Sequence, residues 1–115
     1  MSTRWEHFIG DGIAQPITIK HDGVAITLIS SDIIKVQVIG DSWVSSVITV
    51  DISVTPHADT DLPNGKFVAE FTSAETGGGV WLPGAVVWEV ERTESGGEPQ
   101  TYQYLDARLL PSNIP

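Results

Sequence analysis

The stretch from Asp59 to Glu70 has the carboxylate spacing that comes closest to a metal site in this sequence. If Asp59 is the first position of a calcium loop, Asp61 falls at the third and Glu70 at the twelfth, where an EF-hand places ligands. Pro63 and Asn64, however, occupy the fifth and sixth positions, where a ligand and a glycine are needed. The flanking segments also have strand patterns rather than helical ones. We therefore predict a solvated turn here, with no bound metal and no other cofactor.

Nucleophilic catalysis needs a serine, threonine or cysteine beside a base, and no recognisable motif combines them here. The chain has no cysteine and no Gly-x-Ser-x-Gly motif. Its three histidines are far apart in sequence, at His7, His21 and His57. The glycine run Gly77–Gly79 is followed by no Lys-Ser or Lys-Thr pair, which favours a flexible connection over a phosphate-binding loop. We expect no catalytic residues and no enzymatic activity.

Charge and composition argue against several classes of partner. The 115-residue chain has a formal net charge of −9, and its six basic side chains are scattered singly. Because no basic stripe is present to neutralise phosphates, we expect neither nucleic acid nor an anionic membrane surface as a partner. No apolar run approaches the roughly 20 residues that span a bilayer. Residues 1–8 lack the pattern of a secretory signal, so we expect synthesis in a cytoplasm.

The elements that would position any functional residues are predicted to be strands. From Ile48 to Val54 every second residue is large and apolar, which is typical of a strand with one wet and one dry face. We predict that this strand begins at Val44 and that the fold is built around it. The pair Asp22-Gly23 predicts a two-residue hairpin turn, because both turn positions need positive φ.

The same alternation predicts further strands, at the spacing of an all-β, antiparallel β-sandwich of about seven strands. Besides residues 44–54, the predicted strands are residues 15–21, 24–29, 33–39, 66–72, 85–92 and 101–105. The side chains expected to point inward are Ile34, Val36, Val38, Phe67, Ala69, Phe71, Val86, Trp88 and Val90. Trp88 has valines of the same parity on both sides, so we predict it at the centre of the core.

The two ends of the chain are predicted to be extended arms around this single domain. Residues 1–14 are polar and rich in glycine, residues 15–105 form the predicted sandwich, and residues 106–115 contain prolines between apolar groups. Both ends nevertheless carry large apolar side chains that would prefer burial, which favours contacts with other subunits. The residues predicted to make these contacts are Trp5, Phe8, Leu109, Leu110 and Ile114.

The ordered pattern resembles a known family, the immunoglobulin-like N-terminal domain of phage baseplate upper proteins and related small virion proteins of tailed phages. The resemblance is carried by Pro16–Ile19, Asp22–Gly23, Lys35–Val38, Pro63–Phe67 and Leu82–Glu91. Together these segments cover most of residues 15–105.

The resemblance implies an immunoglobulin-like sandwich that acts as a non-enzymatic structural or adaptor subunit of a virion, in a tail, baseplate or head-attached fibre. It implies other virion subunits as partners, and we expect a homo-oligomer. The implied location is the virion, after synthesis in the cytoplasm of a bacterial host. The family domain offers no catalytic residues to carry over.

Two alternatives remain open at this point. A carbohydrate- or ligand-binding module would use Trp43 and Trp81 with the acidic loop around Asp59 and Asp61, whereas a purely structural role would place the two tryptophans as caps at the two ends of the sandwich. An acidic inhibitor that mimics nucleic acid is disfavoured, because the acidic residues are spread evenly among apolar strands.

Overall fold

A computed structural model describes residues 5–52 and 58–111, which form a mostly β fold. The strands are β1 (Trp5–Phe8), β2 (Ile13–Thr18), β3 (Lys20–His21), β4 (Val24–Ala25), β5 (Ile33–Ile39), β6 (Ile48–Val50), β7 (Lys66–Phe71), β8 (Gly84–Thr93) and β9 (Pro99–Leu110). The helical segments in these ranges are a 3-10 turn, Leu62–Asn64, and one turn of α-helix, α1, Ser73–Thr76. Neither is long or apolar enough to cross a membrane. The prediction of a β-rich fold is confirmed.

Five strands form one curled sheet in the order β1-β9-β8-β5-β6, while β2 pairs with β7 and β3 pairs with β4. The large sheet is mixed. β1 runs parallel to β9, whereas the other three strand pairs of this sheet are antiparallel. The prediction of antiparallel pairing throughout is therefore wrong for β1. These two strands lie at opposite ends of the described chain, so no tight hairpin forces them to be antiparallel. The result is a curled half-barrel and not a clear immunoglobulin sandwich.

The core follows the predicted alternation closely. All nine side chains expected to point inward from β5, β7 and β8 are buried. Trp88, at the middle of β8, is 1% exposed and contacts rings from other elements of the fold. The prediction of Trp88 at the core centre is confirmed, since branched and aromatic residues on one parity of a strand pack on one face.

The predicted hairpin turn at Asp22-Gly23 is also confirmed. Asp22 has φ of 52° and Gly23 has φ of 80°, and they connect β3 to β4. The strand after the turn is shorter than predicted, because β4 ends at Ala25 instead of continuing to residue 29. Beyond Ala25, the backbone of Leu28 donates a 2.7 Å hydrogen bond to Leu62, in the 3-10 turn, instead of to a neighbouring strand.

The long central strand predicted over residues 44–54 is wrong, since β6 contains only Ile48–Val50 within the described residues. Pairing with β5 shifts by one residue between the Ile39–Val44 bridge and the Val36–Ile48 pair. The buried hydroxyl of Ser45 accepts a 2.8 Å hydrogen bond from the Val38 amide, taking the place of a ladder carbonyl. A serine that bonds the backbone in this way interrupts the ladder. Residues 53–57, including Val54, lie outside the described part.

Parts of both predicted arms belong to strands instead. Residues 5–8 form β1, β2 begins at Ile13, and β9 continues past residue 105 to Leu110. The β9 ladder contains a bulge: Trp88 pairs with Tyr104 and Val86 pairs with Ala107, so that Leu105 and the residue after it lie opposite a single residue of β8. A bulge changes which parity faces the core, and here it turns Ala107 and Leu109 inward. The alternation along the sequence therefore stops at residue 105 although the strand continues.

Candidate functional site

The outer face of the curled sheet, which points away from the core, is polar along one half and apolar along the other. In the polar half, the outward residues of β5, β8 and β9 are mostly polar, with the exposed Ile33 at its end; the polar ones include Lys35, Gln37, Glu89, Glu91, Thr101 and Gln103. In the other half, apolar residues of the same strands lie beside two residues from neighbouring loops. We call this half the outer patch, and it consists of Ile39, Trp43, Leu82, Ala85, Val87 and Leu105.

The outer patch lines an open groove of about 620 Å³. Leu105 is the most exposed large apolar side chain among the described residues, at 70%. Its position is a product of the β9 bulge, because the two bulged residues lie opposite Val87. Asp41, on the rim of the groove, is its sole charged lining residue within the described ranges. Bulges commonly re-aim a side chain next to a functional surface, and here the bulge presents a leucine to solvent.

Trp43 joins the outer patch to the core. The turn that carries it is closed by a 2.9 Å hydrogen bond from the Gly40 amide to the Trp43 carbonyl. The indole lies so close to Gly40 that a Cβ atom there would be 2.0 Å from its Nε1. On its other side the ring packs on Trp81, with 5.3 Å between centroids. Because both neighbours restrict it, Trp43 is a rigid wall of the groove.

The Trp43–Trp81 contact is the first link in a continuous series of rings. Successive centroids lie 5.0 to 5.8 Å apart beyond that pair. The series is Trp43, Trp81, Phe71, Trp88, Trp5 and Tyr104. The expectation that Trp43 and Trp81 cap two different ends of the fold is therefore wrong, because they contact each other at one end.

A hydrogen-bonded group of side chains separates the outer patch from the rest of the outer face. Both carboxylate oxygens of Glu89 on β8 accept amide hydrogens, from Gln37 on β5 at 3.0 Å and from Gln103 on β9 at 3.2 Å. This row crosses three adjacent strands. Its groups are mutually satisfied, so the polar half has less need of a partner than the apolar half.

The structure divides the five residues predicted to contact partners. Leu109 is buried in the core, and Trp5 is half-buried against Trp88, so neither is free on the surface. Phe8 is exposed and Leu110 is half-buried, and the two are register partners on β1 and β9. Ile114 lies outside the described residues.

The candidate residues that could not be predicted from the sequence are those of the outer patch other than Trp43. The sequence of β8 does contain one indication of these residues. The strand is apolar on both parities at its beginning and carries charged residues on its outward parity later. Val86 and Val87 are both apolar, whereas Glu89 and Glu91 interrupt the later half. A strand that is apolar on both faces usually has both faces covered. No such signal existed for Leu105, whose direction depends on the bulge.

The predicted turn around Asp59 and Asp61 does not gather metal ligands. The Asp61 carboxylate accepts a 2.8 Å hydrogen bond from the Asn64 side chain, and its backbone pairs with Lys66. Glu70 lies further along β7, opposite Ala14. In residues 5–52 and 58–111, no three His, Asp or Glu side chains form a group that could hold a metal ion.

The residues of the predicted ligand site are also separated. Asp61 bridges to Lys66 at the beginning of β7, whereas Trp81 packs on Phe71 at its end. A six-residue strand spans about 17 Å between these positions. Trp81 is 4% exposed and cannot offer its ring to a ligand, which leaves Trp43 as the accessible indole of the pair.

Searches of protein-family models, curated proteins and solved structures found no match to this chain. A function can therefore be inferred only from the arrangement of the residues described above.

Proposed function

We propose that this chain is a non-enzymatic structural or adaptor subunit that assembles with neighbouring protein subunits, including copies of itself, through the outer patch. The observation that carries the proposal is the exposure of Leu105 on a β-bulge, beside Trp43 and Val87, on a sheet face whose other half is mostly polar. Contiguous apolar surface of this kind, bordered by polar residues, is characteristic of protein interaction sites.

The energetics of the outer patch favour burial. Each square ångström of apolar surface removed from water contributes roughly 25 cal/mol, so covering Leu105 and Leu82 alone is worth a few kcal/mol before association entropy is subtracted. Trp43 is the type of residue that anchors interfaces, and its ring is already held by Gly40 and Trp81. A rigid anchor loses little side-chain entropy on binding.

We include in this proposal the assignment to a tailed-phage virion, as a component of a tail, baseplate or head-attached fibre, with an immunoglobulin-like domain. It is supported by the resemblance of Asp22–Gly23, Lys35–Val38 and Leu82–Glu91 to the virion family. Leu82–Glu91 includes part of the outer patch, so the family likeness and the apolar surface fall on the same segment. The neighbours would be other virion subunits, and no step of the proposed function involves nucleic acid, a membrane or a cofactor.

Light scattering coupled to size-exclusion chromatography tests the assembly role. The wild-type chain should form an oligomer, and Leu105→Lys should shift it towards the monomer with an unchanged far-ultraviolet circular dichroism spectrum. The matched control is Thr101→Lys, which places the same charge on the same face of β9 within the polar half. Equal oligomerisation of all three chains, or a monomeric wild type at every concentration, would contradict the proposal.

A second candidate is the carbohydrate-binding module, and one feature of the groove favours it. The indole of Trp43 stands beside Asp41 and Ser42, which combines an aromatic platform with hydrogen-bonding groups. The informative variant is Trp43→Ala and not a change at Trp81, because Trp81 is buried. Binding on a glycan array that disappears in Trp43→Ala would favour this candidate, and an array without any signal would reject it.

A further inference from the structure

β1 is a short strand at the edge of the large sheet, close to the beginning of the chain. Its four residues pair in parallel register with the end of β9, from Trp5 opposite Ala107 to Phe8 opposite Leu110. The next amide, that of Ile9, continues this pairing with a 3.0 Å hydrogen bond to the Leu110 carbonyl. Because β9 is the one strand that pairs with β1 among the described residues, β1 can leave the sheet without breaking any other strand pair.

Trp5 anchors β1 against a surface of the core that we call the slot, formed by Gln15, Trp88 and Tyr104. Its ring meets Trp88 edge-on at 5.6 Å and stacks on Tyr104 at 5.1 Å between centroids. His7 lies 2.8 Å from the Gln15 side-chain oxygen and so ties β1 to β2. These contacts join β1 to groups on β2, β8 and β9, and none of them depends on β1 and the slot belonging to the same chain.

The turn between β1 and β2 is held by a backbone hydrogen bond, by the Thr76 hydroxyl and by a glycine with positive φ. Gly10 has φ of +92°, and the Asp11 amide bonds back to the Phe8 carbonyl at 3.2 Å. The fully buried hydroxyl of Thr76, in α1, accepts a 3.1 Å hydrogen bond from the Gly10 amide and donates a 2.7 Å bond to the Asp11 carbonyl. Opening the turn breaks these three hydrogen bonds and releases the positive φ of Gly10.

We infer that β1 is an exchangeable strand, which leaves its own slot and fills the same slot on a second copy of this chain, reciprocally. All contacts of Trp5 and His7 are conserved in the exchanged dimer, so the two states differ in the turn and in the association entropy. Exchange of an identical element is a low-cost route to a dimer for this reason. Four residues, Ile9–Gly12, reach about 13 Å when extended, which gives the strand room to cross to a neighbour. The inference deepens the proposed function, because it assumes that the chain assembles with copies of itself.

Two single-cysteine variants provide the test, because the chain has no cysteine of its own. Glu6 and Arg108 are exposed register partners on β1 and β9, at a spacing that suits a disulfide. Glu6→Cys and Arg108→Cys are mixed, concentrated and oxidised. A closed monomer cannot form this disulfide within one chain, whereas an exchanged pair brings the thiol introduced by Glu6→Cys in one chain beside the thiol introduced by Arg108→Cys in the other. We expect a disulfide-linked heterodimer in the mixture and none when either variant is oxidised alone.

The turn glycine supplies a second readout with a matched control. Alanine at Gly10 meets no atom but is strained at φ of +92°, so Gly10→Ala in the Glu6→Cys chain should raise the heterodimer yield about tenfold. Gly12→Ala should leave the yield unchanged, because a Cβ there makes ordinary contacts, 3.8 Å from the Phe71 carbonyl oxygen.

The strand-exchange inference is overturned if the mixture gives no heterodimer, or if the single variants crosslink equally well alone. Adding Leu105→Lys to both chains separates the two interfaces. If exchange is correct, the heterodimer survives this change. If the heterodimer is absent while the wild type still forms a Leu105-dependent oligomer, strand exchange fails and the proposed function stands.

Discussion

Replacing Asp32 by alanine should be among the most damaging polar substitutions in this protein. The Asp32 side chain is 0% exposed, and its Oδ2 accepts hydrogen bonds from Arg92 Nε at 3.2 Å and Arg92 Nη2 at 3.0 Å. The same oxygen accepts a 3.1 Å bond from the Ile29 amide, and Arg92 reaches the Thr27 carbonyl as well. The pair therefore ties β8 to the irregular segment between β4 and β5.

The expected loss in the free energy of unfolding follows from the unpaired charge that Asp32→Ala creates. The Arg92 side chain is 11% exposed, so it would remain nearly buried without the carboxylate that neutralises it. Breaking a buried ion pair on one side costs about 3–5 kcal/mol. For a domain of this size that corresponds to a fall in melting temperature of about 12–20 °C, from about 4 °C per kcal/mol.

Thermal and denaturant unfolding, followed by tryptophan fluorescence, measures this loss. The matched control is Glu94→Ala, which removes the other carboxylate on Arg92, at 2.9 Å from Nη1 but 62% exposed. An exposed pair of this kind contributes about 0–1 kcal/mol, so the control should unfold close to wild type. Hydrogen exchange should also show faster exchange at the Ile29 amide in Asp32→Ala.

A double variant that removes both charges decides whether burial of the ion pair determines its cost. Asp32 Oδ1 is itself buried without a hydrogen-bond partner among the described residues, so the pair carries a desolvation penalty of its own. Asp32→Leu combined with Arg92→Met removes both charges and should cost less than Asp32→Ala alone. A loss below about 1 kcal/mol for Asp32→Ala, equal to that of the exposed control, would refute the reasoning.

Three further predictions concern assembly, pH and a tight turn. Because the chain carries a net charge of −9, added salt should screen repulsion between copies and strengthen the oligomer in light scattering; weakening by salt would contradict this. Burial, with a smaller contribution from Tyr102, raises the pKa of Tyr104 to about 12, so its contribution to stability should be complete below pH about 10 and lost as the pH rises through about 12. Unfolding measured against pH should show this fall in the wild type and a shallower one in Tyr104→Phe. Gly65→Ala should cost about 2–4 kcal/mol in denaturant unfolding, since its Cβ would lie 2.7 and 2.8 Å from two carbonyl oxygens at φ of +71°, whereas Gly96→Ala has open space and should cost about 1 kcal/mol; equal losses would contradict the steric argument.

The buried side chains of the central strands could be predicted from the sequence, because the apolar pattern there follows the geometry of a strand. In β5, β7 and β8 one parity carries three successive apolar residues, so a period of two identifies these inward side chains. The hairpin turn at Asp22-Gly23 could also be predicted, since its two residues determine the turn type by themselves.

The errors occur where a contact with another strand determines the local structure. Ser45 interrupts the strand predicted over residues 44–54 by bonding the amide of Val38 on β5, and the apolar pattern of that segment does not indicate this contact. In the sequence, the bulge at Leu105 looks like the end of a strand, because the inward-pointing residues change parity at this position. β1 has alternating residues, but the sequence predicts it as part of an arm. Its partner, β9, is parallel to it and about 100 residues away, so no local pattern indicates the pairing.

The candidate site was missed for the same reason. Its strand residues, Ile39, Ala85, Val87 and Leu105, come from three strands and meet only because of register. The sequence alone drew attention to Trp43, but it paired that residue with acidic groups that the fold keeps at the other end of β7.

The central claim is that the outer patch becomes covered when the chain assembles, and thiol reactivity measures this directly. Leu105→Cys places a thiol in the outer patch, and Thr101→Cys places one on the polar half of the same strand. As protein concentration rises, the rate of labelling by a thiol reagent should fall for Leu105→Cys and stay constant for Thr101→Cys. Equal labelling rates for the two variants in a solution that light scattering shows to be oligomeric would contradict the claim.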